Sequence, residues 1–353
     1  MWRRRSKMAK LQQQAEASPP LRTRPLAASL ILLIGIGAIA LGIGLSIAVG
    51  VADITLGTVW DALVRFDGGN NHHQIIQSLR LPRALAGALV GAAFAVSGAL
   101  IQGMTRNPIA DTGLLGVNAG AGFAVVLVFA FIPWLPFAYI IMFSFIGAGL
   151  GVALVYGIAY FSRGGMTPLK LVLAGAVVGS LVSGLSQAIS LLFQINYDLA
   201  FWSAGGISTA DWFQVSVMLP WIVAGLTCAL ILSRSVTILS LGEDVAAGLG
   251  QRTKLVKGLG AAIVMVLTGA SVATVGGVGF IGLIVPHIVR YLVGVDYRWI
   301  IPCSAVLGAV LVLLADIGAK MIAVPYETPL GSIIAVLGVP FFLYLARRER
   351  REL

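Results

Sequence analysis

Charge is scarce in this chain. Only 11% of its 353 residues are Asp, Glu, Lys or Arg, against about a quarter in an ordinary soluble domain, which excludes a water-facing globule of this length. Histidine is nearly absent, and the adjacent His72 and His73 have no Cys, Glu or third His at ligand spacing, so no metal cluster is suggested. The two cysteines, Cys228 and Cys303, both fall in apolar runs, which argues against a disulfide framework and makes each a small buried hydrophobe. No Gly-Lys dipeptide occurs, so the G-x-x-x-x-G-K-[ST] loop that cradles nucleotide phosphates is missing. The chain has no motor of that kind. One G-x-G-x-x-G is present, "GVGFIG" from Gly277 to Gly282, but no strand precedes it and it fails the context of a dinucleotide site. These glycines read as a close helix contact or a break in the backbone. Serines in the apolar segments lack the His and Asp that nucleophilic catalysis requires.

What is abundant is hydrocarbon. Hydrophobic residues make up 58% and the mean hydropathy is +0.96, so the chain belongs in a bilayer. Ten apolar segments follow one another, at 26–49, 81–103, 114–132, 137–161, 169–193, 213–233, 256–275, 281–294, 301–319 and 330–346. Most have the length a helix needs to cross, and a lone segment can satisfy its backbone in lipid only as a helix. Segment 281–294 is short and carries Pro286, His287 and Arg290, so alone it reads equally as a broken or re-entrant helix.

Positive charge decides between these. With ten crossings and both termini in the cytoplasm, only Arg65, Arg80, Arg83 and Lys320 lie outside, and the other 20 of the 24 Lys and Arg lie inside. Dropping one crossing would put Arg347, Arg348, Arg350 and Arg351 outside. The expected organisation is therefore a basic leader at 1–25, a transmembrane region at 26–348 and a short tail at 349–353, all α-helical across the membrane. The first apolar segment is too long for a signal-peptide core and reads as a retained helix. The formal charge of +10 is explained by topology, without nucleic acid.

Within this pattern the stretch 235–254, "SVTILSLGEDVAAGLGQRTK", forms the longest internal cytoplasmic loop. "EDVAAGLG" predicts a short helix that Gly248 and Gly250 end abruptly, with small residues that permit a close partner. A plain connector is the alternative. Ion-coupled transport needs ionisable groups near the midplane, and the apolar segments hold almost none. Asp316 and Lys320, four residues apart near an outer end, could meet on one helix face, and His287 with Arg290 lies near an inner end.

Four motifs now carry a resemblance. "LRLPRALAGALVGAAFAVSGALIQGMTRNPIADTGLLGVNAGA" (Leu79 to Ala121), "LSLGEDVAAGLG", "VGFIGLIVPHIVRYLVGVDYR" and "ADIGAK" with "YETPLGSIIAVLGVPFF" resemble the FecCD-type iron-siderophore and cobalamin permeases of bacterial ABC importers. The likeness runs collinearly from about residue 26 to 348.

The resemblance implies a ten-helix permease of type II importer architecture in the bacterial cytoplasmic membrane, paired with a second permease subunit around a central pathway. It implies a cytoplasmic ABC ATPase dimer that holds ATP and Mg, no cofactor bound by the chain itself, and an extracytoplasmic substrate-binding protein. Glu243, Asp244, Ala246, Gly248, Leu249 and Gly250 would then couple to the ATPase. Arg80 and Arg83 would grip acidic residues of the binding protein at the outer mouth, with Lys320 at a third basic position that is Arg in some relatives. Snorkelling to headgroups is the plain alternative for such cations. Asn107 and Ile109 in "TRNPIA", with Pro168 and Leu169 in "GGMTPLK", would line the inner gate. The block from Gln102 to Gly122 looks most like ferric-siderophore members, so an iron(III)-siderophore is expected ahead of haem or cobalamin.

Overall fold

The computed structural model describes residues 23–50, 54–113, 116–162, 168–195, 205–207, 210–322 and 326–349. The leader up to residue 22 and the tail from 350 lie outside them. Among the described residues the chain is all helical. Its long elements are α1 (Pro25–Ala48), α4 (Leu81–Thr105), α5 (Val117–Phe131), α6 (Phe137–Phe161), α7 (Pro168–Leu192), α8 (Trp212–Ser240), α10 (Thr253–Val275), α11 (Ile281–Val293), α12 (Tyr297–Ile322) and α13 (Leu330–Glu349). Each apolar segment of the sequence has become one of these. Among the described residues seven helices are long and apolar enough to cross a membrane, while Val117–Phe131, Ile281–Val293 and Leu330–Leu345 are shorter apolar helices.

The packing inverts the soluble pattern. α1 turns Ala28, Gly35 and Gly42 inward and leaves Leu26, Leu33, Ile34 and Leu41 at least 60% exposed, as expected where lipid rather than water covers the outside. Val306 and Leu313 of α12 fill the hollows at Gly35 and Gly42. α4 lies at the centre, against α1, α8, α10, α11 and α12. Its Ala and Gly residues leave no bulky face, so it can be surrounded. At Gly91 an added methyl would lie 2.3 Å from the Gly308 carbonyl, and at Gly98 it would lie 2.0 Å from that of Gly282. Backbone meets backbone at both crossings.

"GVGFIG" breaks the chain as its glycines suggested. α10 stops at Gly276 with φ +73°, and α11 starts only after Phe280, whose φ is +68°. Gly98 faces Gly282 well inside α4, so this irregular backbone lies within the bundle, where only surrounding protein can satisfy it. Gln102 donates to the Gly282 carbonyl at 2.9 Å, and Arg290 donates to Gln102 in turn.

Three short elements were not visible in the apolar pattern. α2 (Leu56–Val64), α3 (Asn71–Ile75) and a π-turn (Ile76–Arg80) lead from α1 into α4. His73 belongs to this cap, where its Nδ1 accepts the Asp67 N–H at 3.1 Å.

Candidate functional site

Two ends of the bundle carry the polar chemistry. At one end α9 (Glu243–Gly248) follows α8 directly, because α8 continues to Ser240 through residues that read as loop in the sequence. Gly242 with φ +138° starts α9, and Gly250 with φ +80° closes it; the Gly250 N–H donates to the Ala247 carbonyl at 2.9 Å. Glu243 accepts from Lys257 of α10 at 2.6 Å, which fixes the helix against the bundle. That hydrogen bond and the Lys257 charge hold the Glu243 carboxyl below its usual range. Asp244, Val245, Ala247, Gly248, Leu249 and Gly250 are exposed, Leu249 by 67%. Ala246 is fully buried. It therefore packs inward and does not share the exposed face of Asp244, Gly248, Leu249 and Gly250, with which the resemblance grouped it.

The turn after α4 lies beside α9. Arg106, in the left-handed region at φ 53°, places Nη1 3.8 Å from where a Gly242 side chain would begin. Asn107 Oδ1 accepts the Ile109 N–H at 3.1 Å and the Asn107 carbonyl accepts the Ala110 N–H at 3.2 Å, so Asn107 and Ile109 occupy a stapled, half-buried turn. Pro168 and Leu169 open α7, but their side chains lie outside the described residues.

Asp111 escaped the sequence reading. It follows the turn, is 7% exposed, and its carboxylate accepts the Gly113 N–H at 3.4 Å, with the Thr112 and Phe280 N–H groups also favouring its charged form. Burial nevertheless pushes its carboxyl above the usual range. On the same end, Asp296 accepts from Thr237 at 3.2 Å and from Arg298 at 2.7 Å, tying α8 to the start of α12.

The opposite end holds a compact ion cluster. Asp316 accepts from Arg83 at 2.8 Å, from Lys320 at 2.7 Å and from the Ser46 hydroxyl at 2.7 Å. Arg83 also donates to both carboxylate oxygens of Glu327, at 2.7 and 2.9 Å. The spacing of Asp316 and Lys320 was readable in sequence; Ser46 and Glu327 carried no signal there. Arg83 and Lys320, expected at an outer mouth, are each only 7% exposed, because their charges are consumed by Asp316 and Glu327. Arg80 is half-buried and donates to the Ile47 and Ala48 carbonyls at 2.6 and 3.0 Å. The cluster links α1, α4, α12 and the connector before α13.

Between the two ends, α7 differs from α1. It exposes Ser180, Ser183, Gly184 and Gln187 along one stripe, beside a second stripe of Leu173, Val177 and Leu181. An unpaired amide such as that of Gln187 costs about 2–7 kcal/mol in hydrocarbon, so the polar stripe suits water or a partner.

Comparison with known proteins places the chain among permeases. The model of the FecCD transport family matches residues 38–348. The chain is 53% identical over 331 residues to the iron(3+)-hydroxamate import system permease protein FhuB of Bacillus subtilis (strain 168), covering 94% of this chain and 86% of that one. It is 42% identical over 330 residues to the iron-uptake system permease protein FeuB of the same organism, covering 94% and 96%. Among solved structures, a metal-chelate type ABC transporter in an inward-facing conformation matches with a TM-score of 0.76 and 26% identity, over 91% of this chain and 99% of that one.

Proposed function

The chain belongs to the FecCD transport family, and from that premise we propose that it is the permease subunit that carries an iron(III)-siderophore across the bacterial cytoplasmic membrane. The observation that carries this reading is the 53% identity, over 94% of the chain, to a permease of iron(3+)-hydroxamate import.

All ten apolar helices cross in this reading, the three shorter ones included, with both termini in the cytoplasm. Support comes from the charge asymmetry, since α9 shares its end of the bundle with Arg106, Lys257 and Arg298. Energy comes from outside the chain. A cytoplasmic ATPase dimer that holds ATP and Mg would receive the exposed face of α9, formed by Asp244, Val245, Gly248, Leu249 and Gly250. Glu243 would position that face through Lys257, and Ala246 would root it in the bundle.

The exposed polar stripe of α7 would face a second permease subunit across the pathway, because this chain leaves it uncovered and hydrocarbon would leave its Gln187 amide unsatisfied. Asn107 and Ile109 would narrow the inner mouth together with Pro168 and Leu169. At the outer end a substrate-binding protein would dock over Arg80 and the Arg83–Glu327 pair. Lys320 would serve that surface from beneath, through Asp316.

The test is uptake of a ferric hydroxamate into vesicles that contain the chain, its partner permease and ATPase, with the binding protein added outside. ATP-dependent accumulation is expected. Accumulation of haem or cobalamin under the same conditions, without ferric hydroxamate, would replace the substrate class.

A further inference from the structure

The break between α10 and α11 joins groups that the sequence keeps far apart. Phe280 is an aromatic residue in the left-handed region, at φ +68° and ψ −24°, which bulky side chains rarely adopt. Two neighbours hold it there. Its backbone N–H lies towards the buried Asp111 carboxylate and acts on it electrostatically, and its ring fills a notch in α13, where an added methyl at Gly338 would lie 2.3 Å from the ring. Asp111 Oδ1 also lies 2.7 Å from where a Gly282 side chain would begin, so the carboxylate is wedged against the first turn of α11.

The other end of this contact chain reaches α9. Asp111 closes a turn stapled by Asn107, and Arg106 at the head of that turn lies beside Gly242 and acts electrostatically on Glu243. α13 makes its main contacts with α11 and α12, and below Phe280 its Phe341, Phe342 and Leu345 pack with Leu283 and Ile284. A displacement of α9 can thus reach α13 through one short turn and one ring.

We infer that Asp111 and Phe280 form the joint through which movement at α9 is passed to α13. The inference rests on α9 being the surface that receives the ATPase. Both are positioning residues, since neither needs to touch the cargo. A ring that is either seated in the Gly338 notch or withdrawn from it gives the joint two discrete arrangements, which coupling between distant sites requires.

The test compares Phe280→Ala, Gly338→Ala and Asp111→Asn in vesicles containing the complete transporter, with a ferric hydroxamate as cargo. Co-purification of the ATPase, its basal hydrolysis and cargo moved per ATP are measured together. Phe280→Ala and Gly338→Ala are expected to keep the ATPase bound and basal hydrolysis near the parent level, while cargo per ATP falls by about tenfold. Asp111→Asn, which retains one acceptor but loses the charge, is expected to fall by less. If Phe280→Ala does not fold, Gly338→Ala decides alone, because it adds one methyl and removes nothing. Unchanged cargo per ATP in Gly338→Ala overturns the joint. Leu249→Arg separates the premise: its ATPase must dissociate, and if that variant still binds the ATPase and transports normally, the assignment of α9 fails instead.

Discussion

Arg83 and Asp316 stand 233 positions apart in sequence and meet in a two-point ion pair, with Nε and Nη2 at 2.9 and 2.8 Å from one carboxylate oxygen. Nearly all of Asp316 is shielded, and its second oxygen serves Lys320 and Ser46. One carboxylate thus pairs with two buried cations and fastens three helices. Removing it leaves the buried Lys320 without a carboxylate partner and Arg83 with Glu327 alone, which is far costlier than losing a surface pair.

Asp316→Ala is expected to destabilise the purified permease by about 3–5 kcal/mol, seen as a lower thermal midpoint in detergent. Glu327→Ala should cost about 1 kcal/mol or less, since the Glu327 side chain is 36% exposed and water screens its pair with Arg83. Equal losses in the two variants would contradict the internal role of Asp316.

Helix crossings give a second contrast. Gly98→Ala forces a methyl to within 2.0 Å of the Gly282 carbonyl, and overpacking of this kind costs about 1–3 kcal/mol. Gly179→Ala in α7 meets nothing within 4 Å and should leave the midpoint unchanged or slightly raised. The same thermal measurement distinguishes them.

The long apolar helices were legible because extended hydrocarbon runs admit little else, and positive charge gave their sidedness as an expectation. α9 was legible from its acidic start and its closing glycines. The inward face of Ala246 was not, because on six residues every position is close to both the bundle and the outside. Arg83 and Lys320 were readable as cations near an outer end, but their burial was not. That depends on Glu327 and Ser46, partners brought in from other helices without any periodic trace. Asp111 was hidden for a related reason: a carboxylate just past an apolar run looks like loop until the fold draws it against Phe280.

At α9, acid should loosen what Lys257 holds. The carboxyl of Glu243 titrates below its unfolded value, so its contribution is fully present above the ordinary glutamate range and disappears as pH falls through the depressed folded value. Hydrogen exchange of residues 243–250, corrected for intrinsic rates, should therefore accelerate on acidification below that range. Lys257→Met should exchange faster at neutral pH and lose most of the pH dependence. An unchanged profile in Lys257→Met would remove the pair as the cause.

Leu249→Arg should leave the thermal midpoint within a few tenths of a kcal/mol, because Leu249 is 67% exposed and touches little of its own chain. The same variant should lose the ATPase on purification. Ala246→Leu should behave in the opposite order, lowering the midpoint first, because Ala246 is fully buried and a larger side chain must displace its neighbours.

The central claim is that this chain is a conduit driven by a separate ATPase through α9. It is tested by comparing vesicles that hold the complete transporter with vesicles that hold this chain alone, both challenged with a ferric hydroxamate and its binding protein. Accumulation only in the complete vesicles, abolished by omission of ATP and by Leu249→Arg, is the predicted result. Accumulation in vesicles holding this chain alone, driven by a proton or sodium gradient, would contradict it.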